Sequence, residues 1–400
     1  MKKAFLFLSL LLPPTIIFCS RSVSLQSQNA QDVEYAVIAE NDPAARLAAV
    51  AVLKEQGEIG IPGLTAAAHD PDDGVRKAAI RSLGEVGGQE AADALAELLD
   101  DPDRTVRMRA IIALGLAGRP GFPYLLKVLD TEPFPRGRMF AASALNRVVQ
   151  PGDAPAIMER FDRQDVTTQM HLVTALVHIG DDGAYQALEV LAEHPNRLIR
   201  FYVVNTLADT HQDERALPIF INSLEDEAVE VRMWAIFGLE RLNHPASFPA
   251  VLAALGDQDP YVRKEAAYTL GLLKNPEAIP FLIESLKDPI TVVRGDAATA
   301  LGMIGDSSAT STLRPLLNDS SPVVQIKTAE ALARLGDYSG IDLVIELVDS
   351  PVRIHSYEAA RVLRELSGED FGYNKASWRT WWICNRDVLA DGARQSAPAE

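Results

Sequence analysis

The stretch that decides the fold reads DPYVRKEAAYTLG at residues 259–271. Closely similar phrases stand at three other places: DPDDGVRKAAIRSLG at 70–84, DPDRTVRMRAIIALG at 101–115 and DPITVVRGDAATALG at 288–302. Each phrase begins with Asp-Pro, continues through Val-Arg and small apolar residues, and ends in Leu-Gly. The sequence is therefore built on an internal repeat, which has to be explained before any other feature.

The leucine of the phrase marks the register of the repeat. It recurs with a mean spacing of 31 residues, and no step departs from that mean by more than one residue. This regularity leaves no room for an inserted globular domain between residues 42 and 366. The series is Leu53, Leu83, Leu114, Leu145, Leu176, Leu207, Leu239, Leu270, Leu301, Leu332 and Leu363.

Each repeat predicts two helices. The first opens with Asp as N-cap, places apolar residues three and four positions apart, and is expected to end at Gly, as at Gly84, Gly87 and Gly336. The second carries Pro in its first turn, where a missing N–H costs nothing, as at Pro280. No stretch alternates with period two, so no strands are expected.

Helix pairs of this length bury their apolar faces only by stacking on one another. The sequence thus predicts an all-α, right-handed α-α superhelix of about eleven two-helix repeats over residues 41–367. The Asp-Pro…Val-Arg…Ala-Ala…Leu-Gly phrase resembles HEAT repeats, specifically the short HEAT-like repeats first named in phycobilisome lyases. That resemblance implies a solenoid fold and leaves function open, because the same fold serves unrelated roles.

Composition excludes several classes of function. Hydrophobic residues make up 48% of the 400 residues, which is typical of a folded protein, while the formal net charge of −17 opposes nucleic-acid binding. The chain has two cysteines, too few for a disulfide framework or a Cys-rich zinc site. After the first twenty positions no apolar window is long enough to predict a membrane span.

The amino terminus resembles an export signal. Lys2 and Lys3 precede a short apolar run over residues 4–12, and Cys19 follows. Residues 1–18 resemble a bacterial lipoprotein signal, which implies a diacylglycerol on Cys19 and a polar tether over 19–40. Phe18 departs from that pattern, in which a small residue precedes the cysteine. Ordinary signal cleavage after Ser22 or Ser24 is the alternative.

The recurring arginine permits two interpretations. It could form an anion-binding ladder, or each guanidinium could bind an Asp or helix end of an adjoining repeat and hold the stack together. HEAT families use the second arrangement, so we expect it here. The column is Arg46, Arg76, Arg107, Arg138, Arg200, Arg232, Arg263 and Arg294, with Gln169, Gln325 and Ser356 in three repeats.

No motif predicts an enzyme, a metal or a cofactor. The sequence lacks G-x-G-x-x-G, Walker, G-x-S-x-G and H-E-x-x-H patterns. His171 and His178 lie seven residues apart without a Cys or acidic partner in register. Deoxyhypusine hydroxylase, a HEAT-repeat enzyme, binds iron through His-Glu pairs, and this sequence has no such dipeptide. Cys384 is interpreted as a packed thiol.

The carboxyl-terminal segment differs in composition from the repeats. Residues 368–390 contain three of the four tryptophans. Trp378 and Trp382 are four apart, on one helical face, and we expect this segment to cap the open end of the solenoid, with an aromatic binding patch as the alternative. Residues 391–400 are expected to be a disordered tail.

Partner-binding candidates come from two columns of the second helices, which solenoid curvature commonly turns toward a concave face. One column is mostly acidic and the other supplies apolar anchors, which suits a basic or mixed protein surface. A solvated face is the competing interpretation. The candidates are Glu97, Tyr124, Lys127, Glu159, Glu189, Ile219, Phe281 and Glu284.

These features favour a non-enzymatic protein-interaction scaffold, exported to the bacterial envelope and held at the membrane by a lipid on Cys19. Its partner is another protein, and neither nucleic acid nor a small-molecule substrate is implied. The alternatives are a lyase-type or accessory protein that holds a substrate protein or cofactor, and a purely structural spacer.

Overall fold

A computed structural model describes residues 41–210 and 213–396 of the chain. The predicted signal peptide, Cys19 and the tether through residue 40 lie outside the described residues. The described residues form 22 α-helices and no strand. The prediction of an all-α, HEAT-like solenoid of eleven two-helix repeats is confirmed.

The chain divides into two compact units after Asp181. The described part of the first unit contains nine helices: α1 (Pro43–Glu55), α2 (Ile61–Ala67), α3 (Asp73–Val86), α4 (Gly88–Glu97), α5 (Arg104–Leu116), α6 (Phe122–Thr131), α7 (Pro135–Leu145), α8 (Ala154–Phe161) and α9 (Val166–Ile179). The odd-numbered helices here are the first helices of their repeats, and the even-numbered ones are the second helices.

The described part of the second unit contains thirteen helices. They are α10 (Asp182–Ala192), α11 (Arg197–Thr210), α12 (Leu217–Ser223), α13 (Val229–Leu242), α14 (Ser247–Ala253), α15 (Pro260–Leu273), α16 (Ile279–Ser285), α17 (Thr291–Ile304), α18 (Thr310–Leu313), α19 (Pro322–Arg334), α20 (Ile341–Leu347), α21 (Arg353–Ser367) and α22 (Lys375–Ser396). First helices are again odd-numbered, from α11 to α21.

The helix starts follow the sequence chemistry. The Asp72 carboxylate accepts hydrogen bonds from the backbone N–H groups of Gly74 and Val75 at the start of α3, at 2.9 and 3.1 Å. Asp259 caps α15 in the same way, accepting from Tyr261 at 2.8 Å. Pro280 lies in the first turn of α16, as predicted. These caps satisfy N–H groups that have no partner inside the helix.

The glycine of the Leu-Gly phrase does not end the first helix. Gly84 lies inside α3, which ends at Val86, and Gly302 lies inside α17, which ends at Ile304. A Cβ on Gly302 would stand 2.7 Å from the Cα of Ala331, and one on Gly84 would stand 2.8 Å from the Ala113 carbonyl oxygen. These glycines allow successive first helices to approach closely, so the prediction of a helix end at Gly84 is wrong. The predicted end at Gly87 is confirmed, since Gly87 is the C-cap of α3, and α19 ends at Arg334, two residues before Gly336.

The anchor leucines form the core of the repeats. All eleven, from Leu53 to Leu363, are at most 1% exposed. Alanine four positions earlier and valine eight positions earlier, such as Ala266 and Val262 in α15, are fully buried as well. The register predicted from the 31-residue spacing is confirmed.

The last helix covers part of the final repeats. Trp378 and Trp382 of α22 are 0% and 6% exposed, and they lie in one cluster with Ile341 of α20 and Leu363 of α21. The Trp378 indole N–H donates to the Gly372 carbonyl at 2.9 Å. The two tryptophans thus share one buried face.

The helix α22 is longer than the sequence suggested. It continues through residues 391–396, so the prediction of a disordered tail is wrong for those six residues. No proline interrupts the helix before Pro398. Residues 397–400 lie outside the description.

None of the helices in the described ranges is both long enough and apolar enough to cross a lipid bilayer.

Candidate functional site

The repeated arginines tie neighbouring repeats together. Arg263 donates through Nε and Nη2 to the carboxylate of Asp288 in the following repeat, at 2.7 and 3.0 Å. Its Nη1 donates to the Asp257 carbonyl of its own repeat at 2.8 Å. Arg294 repeats the arrangement with Asp319 and the Asp288 carbonyl. These guanidinium groups are therefore occupied by protein. The inter-repeat interpretation is confirmed for seven arginines of the column, Arg46, Arg107, Arg138, Arg200, Arg232, Arg263 and Arg294, whereas the bonds of Arg76 stay within its own repeat.

Substitutions in the column keep part of this arrangement. Gln325 Nε2 donates to the Asp319 carbonyl at 2.7 Å. Glutamine thus keeps the hydrogen bond to the backbone carbonyl and lacks the positive charge of the arginine. Arg76 donates to the carbonyls of Asp70 and Pro71 and to the Asp73 carboxylate. At Asp319, hydrogen bonds from Arg294 lower the pKa of the carboxyl group despite the opposing effect of burial.

The predicted partner-binding residues of the second helices are mostly exposed but locally paired. Lys127 lies 3.8 Å from Asp100, Glu284 pairs with Lys287 at 2.9 Å, and Glu159 pairs with Arg160 at 3.0 Å. The Tyr124 hydroxyl donates to Asp93 at 2.5 Å. Glu97, Glu189 and Phe281 are exposed. Such pairs describe a solvated face, and partner binding by these residues stays a prediction.

Ile219 corrects that prediction. It is 2% exposed in α12, so it does not offer an apolar anchor on the surface. It forms a wall of the cleft between α10 and α12, which Glu189 and Ala192 also line. Ile219 occupies the same position in its repeat as the exposed Phe281 does in another repeat. The difference in burial between them therefore comes from the neighbouring helix and not from the repeat position.

A half-buried aromatic cluster stands instead on the first helices of the second unit. The ring of Trp234 in α13 packs edge-to-face against Phe201 of α11, with centroids 6.3 Å apart, and against Phe237 at 5.3 Å. The Arg241 guanidinium lies 5.7 Å from the Phe237 ring centroid. We call Phe201, Trp234 and Phe237 the aromatic cluster. Edge-to-face packing fixes these rings in place while each keeps part of its surface in water.

Further apolar side chains extend this surface along α15. Tyr268, at the same repeat position as Phe237, is 37% exposed, and Leu272 one turn later is 39% exposed. Most large exposed apolar side chains of the described helices lie on first helices: Leu47, Val52, Ile112, Leu116, Leu198, Tyr261, Tyr268, Leu272, Val292, Ile354 and Tyr357. The second helices contribute Val190 and Phe281.

Acidic groups border the aromatic cluster. Burial raises the pKa of the Glu240 carboxyl, and the negative charge of Glu265 raises it further. Glu265 has Lys264 as a partner at 3.3 Å. These acidic groups combine with the half-buried rings to give an apolar surface with a negative edge.

The sequence analysis missed this surface, although a signal was present. The position two residues after the repeated Val holds Met108, Met139, Met170, Phe201 and Met233 in successive repeats. The next position holds Phe140, His171, Tyr202 and Trp234. In the first unit, Met108, Met139 and Phe140 are likewise half-buried. Methionine and aromatic side chains at two adjacent columns form an adaptable apolar stripe.

The two histidines singled out in the sequence differ in burial: His171 is half-buried and His178 is exposed. Burial lowers the pKa of His171, whereas His178 is exposed and its Nδ1 lies 2.7 Å from the Thr174 carbonyl. No three His, Cys, Asp or Glu residues among those described are placed to hold a metal ion. Cys384 is exposed, so its interpretation as a packed thiol is wrong. Trp382 points inward, and a residue two positions later lies on the opposite side of the helix.

The comparisons with known proteins agree with the repeat structure. The family model for HEAT repeats matches residues 33–115, 96–168, 217–302 and 286–364. This chain belongs to the HEAT-repeat family. HEAT-repeat solenoids are typically protein-interaction scaffolds. No curated protein sequence matches the chain.

Solved structures with a similar fold include those of Kap121p and Kap95p. The karyopherin Kap121p, bound to the extreme C-terminus of the protein phosphatase Cdc14p, has a TM-score of 0.58 at 11% identity over 94% of this chain. The HEAT-repeat chain spans 50% of that karyopherin. Kap95p, solved with RanGDP, has a TM-score of 0.55 at 13% identity, covering 94% of this chain and 62% of its own.

Human deoxyhypusine hydroxylase in complex with glycerol is also similar, at 22% identity over 71% of this chain and 97% of its own. Its TM-score is 0.29. At these identities the similarities concern the fold alone.

Proposed function

We propose that this HEAT-repeat protein is a non-enzymatic scaffold that binds a partner protein through its first helices, centred on the aromatic cluster. The observation that carries the proposal is the contact of Phe201, Trp234 and Phe237 across two successive first helices. Aromatic residues are enriched in the cores of protein interfaces, and tryptophan is among the residues that contribute most to binding energy there.

The backbones of successive first helices also approach each other closely, as a continuous docking surface requires. Gly271 and Gly302 lie directly against Ala300 and Ala331 of the next first helix. Close spacing of first helices aligns their exposed positions into one surface within the second unit, and it supports placing them on the concave side there. The proposed docking surface is therefore on the first helices rather than on the second helices, where the sequence had placed it.

We place the scaffold at the bacterial envelope. Lys2 and Lys3, the apolar run over residues 4–12 and Cys19 support export, and the polar stretch after Cys19 supports a tether to the membrane. Two acyl chains on one cysteine suffice for stable anchoring.

Capture of partners from envelope extracts tests the docking surface. The purified chain, a Trp234→Ala, Phe237→Ala double variant and a Phe281→Ala variant serve as baits. Phe281 is 49% exposed on a second helix, so it is a matched aromatic control. We expect the native chain and the Phe281→Ala bait to retain the same protein, and the double variant to lose most of it.

Two outcomes contradict the proposal. If the Phe281→Ala bait loses the partner protein and the double variant retains it, the docking surface lies on the second helices. A native chain that captures nothing more than an unrelated acidic protein would indicate a structural spacer. Circular dichroism of each bait establishes that it is folded, and an absorbance spectrum of protein from its native host tests the alternative of a pigment- or cofactor-holding protein.

A further inference from the structure

A cleft of about 160 Å³ lies between the second helices α10 and α12, away from the aromatic cluster. Glu189 and Glu193 border it from the α10 side, and Glu225 and Asp226 from the segment that follows α12. Ile219 and Ala192 supply its apolar wall.

The charges of this cleft are unbalanced. Arg200 is the one basic residue that lines it among the described residues, and its guanidinium is bound by Asp226 at 2.7 and 3.0 Å and by Glu227 at 2.9 Å. Glu189, Glu193 and Glu225 have no basic partner within the described chain. Three carboxylates thus face a small cleft whose one cation is already neutralised.

Two further features favour a cation there. The cleft lies where α10 and α12 end, at Ala192 and Ser223, and the carboxyl end of a helix carries partial negative charge. Ser223 lines the cleft at 5% exposure, and its hydroxyl has no hydrogen-bond partner among the described residues. Such a buried hydroxyl is available to accept a hydrogen bond.

We propose that this cleft binds a basic side chain, the guanidinium of an arginine or the ammonium of a lysine, from a partner protein. The carboxylates of Glu189, Glu193 and Glu225 surround the charged group, and the methylene stem lies along Ile219, as long basic side chains do on apolar surfaces. No three His, Cys, Asp or Glu residues in the described ranges are placed to hold a metal ion, which favours a larger organic cation.

The site goes beyond the proposed docking surface, because it stands on the second helices and needs no residue of the aromatic cluster. The residue equivalent to Glu189 is Asn222 in α12 and Ala253 in α14, so the next two second helices lack its charge, and it returns as Glu284 in α16.

Methyl nuclear magnetic resonance of the purified full-length chain tests the proposal without any partner. The probes are N-acetyl-arginine amide, N-acetyl-lysine amide and the neutral N-acetyl-citrulline amide, and the Ile219 methyl group is the reporter. We expect at least one basic probe to shift that signal saturably, with a dissociation constant of about 1 mM or weaker. Which of the two does so distinguishes guanidinium from ammonium binding.

Variants locate the binding. Glu189→Gln, Glu193→Gln and Glu225→Gln together should weaken it at least about tenfold, which is a loss of about 1.4 kcal/mol. Glu58→Gln, Glu90→Gln and Glu277→Gln together change the net charge equally at exposed positions elsewhere and should leave it unchanged. Glu193→Gln alone serves if the triple variant does not fold.

Three results would overturn the proposal: no saturable shift of Ile219 with either basic probe up to about 50 mM, an equal shift with the citrulline probe, or equal weakening by both triple variants. Either of the first two results would exclude a cation site in the cleft. The third would show that the binding depends on the overall surface charge and not on these three carboxylates. None of them bears on the aromatic cluster, so failure here is distinguishable from failure of the proposed docking surface.

Discussion

At the scale of residues, burial of the anchor leucines sets the register of every repeat. Leu270 and Leu301 are 0% and 1% exposed, whereas Leu272, two positions along the same helix as Leu270, is 39% exposed. One helix therefore offers both a core leucine and a matched surface leucine.

We expect Leu270→Ala or Leu301→Ala to lower the free energy of unfolding of the second unit by about 2–5 kcal/mol, since each leaves a cavity in a packed core. Leu272→Ala should cost less than about 1 kcal/mol. Urea denaturation followed by circular dichroism measures all three. Losses below 1 kcal/mol at both core positions would show that the register is misplaced.

The arginine pairs predict how stability depends on pH. Hydrogen bonds from Arg294 hold the pKa of Asp319 below its ordinary value near 3.8 in the folded chain. A carboxyl with a lowered folded pKa contributes stability that is complete above the unfolded pKa and is lost as the pH falls through the folded pKa. We therefore expect the native chain to lose this contribution below about pH 4.

Arg294→Met should already be about 3–5 kcal/mol less stable at pH 7, because a mostly buried carboxylate loses its partner, and it should lose less on further acidification. Arg197→Met removes an exposed pair with Glu230 and should cost less than about 1 kcal/mol. Urea midpoints between pH 7 and pH 3 test this. Parallel pH profiles for the native chain and Arg294→Met would refute the assignment.

Residue patterns predicted the core well and the binding surface poorly, for one physical reason. Burial of an anchor leucine depends on its own helix and its neighbours in register, which the repeat fixes. Exposure of Ile219 and contact between Phe201 and Trp234 depend on how two particular helices meet. These two rings are 33 residues apart in the chain, and no local pattern reports their distance of 6.3 Å.

At the scale of elements, glycine has a different role from the one that its sequence position suggests. A Leu-Gly pair is typical of a helix end, but α15 continues past Gly271 to Leu273. The close approach of Ala300 requires that glycine, because an added Cβ would stand 2.6 Å from the Ala300 Cα. Propensity alone does not distinguish a helix end from a packing contact, since both favour glycine.

The proposed cap formed by α22 gives a prediction at this scale. Trp378→Ala should remove about 3–5 kcal/mol of stability from the last repeats, because it deletes a fully buried ring. Ile383→Ala, at a 58% exposed position of the same helix, should have little effect. Hydrogen exchange should show faster exchange in α20 and α21 and unchanged exchange in the first unit, because repeats interact mainly with their neighbours. Uniform loss of protection throughout the chain would contradict a local cap.

At the scale of the whole molecule, the predicted localisation at the membrane depends on lipid attachment to Cys19. We expect the mature protein to begin at a lipid-bearing Cys19, and Cys19→Ser to release it from membranes into the soluble exported fraction. The repeats begin after residue 41, so the helical circular-dichroism spectrum should not change. Mass spectrometry of the mature amino terminus tests this prediction. An unmodified terminus near Val23 or Leu25 would contradict the lipid anchor. An intact Met1 would contradict export as well.

The central claim is that a partner protein docks on the first helices beside the aromatic cluster. Photo-crosslinking in living cells tests it most directly, with p-benzoylphenylalanine replacing Tyr268 or, separately, Phe281. Both positions are exposed, at 37% and 49%, but Tyr268 lies on a first helix and Phe281 on a second helix. We expect one discrete crosslinked species from position 268 and none from position 281. Crosslinks from position 281 alone, or none from position 268, would contradict it.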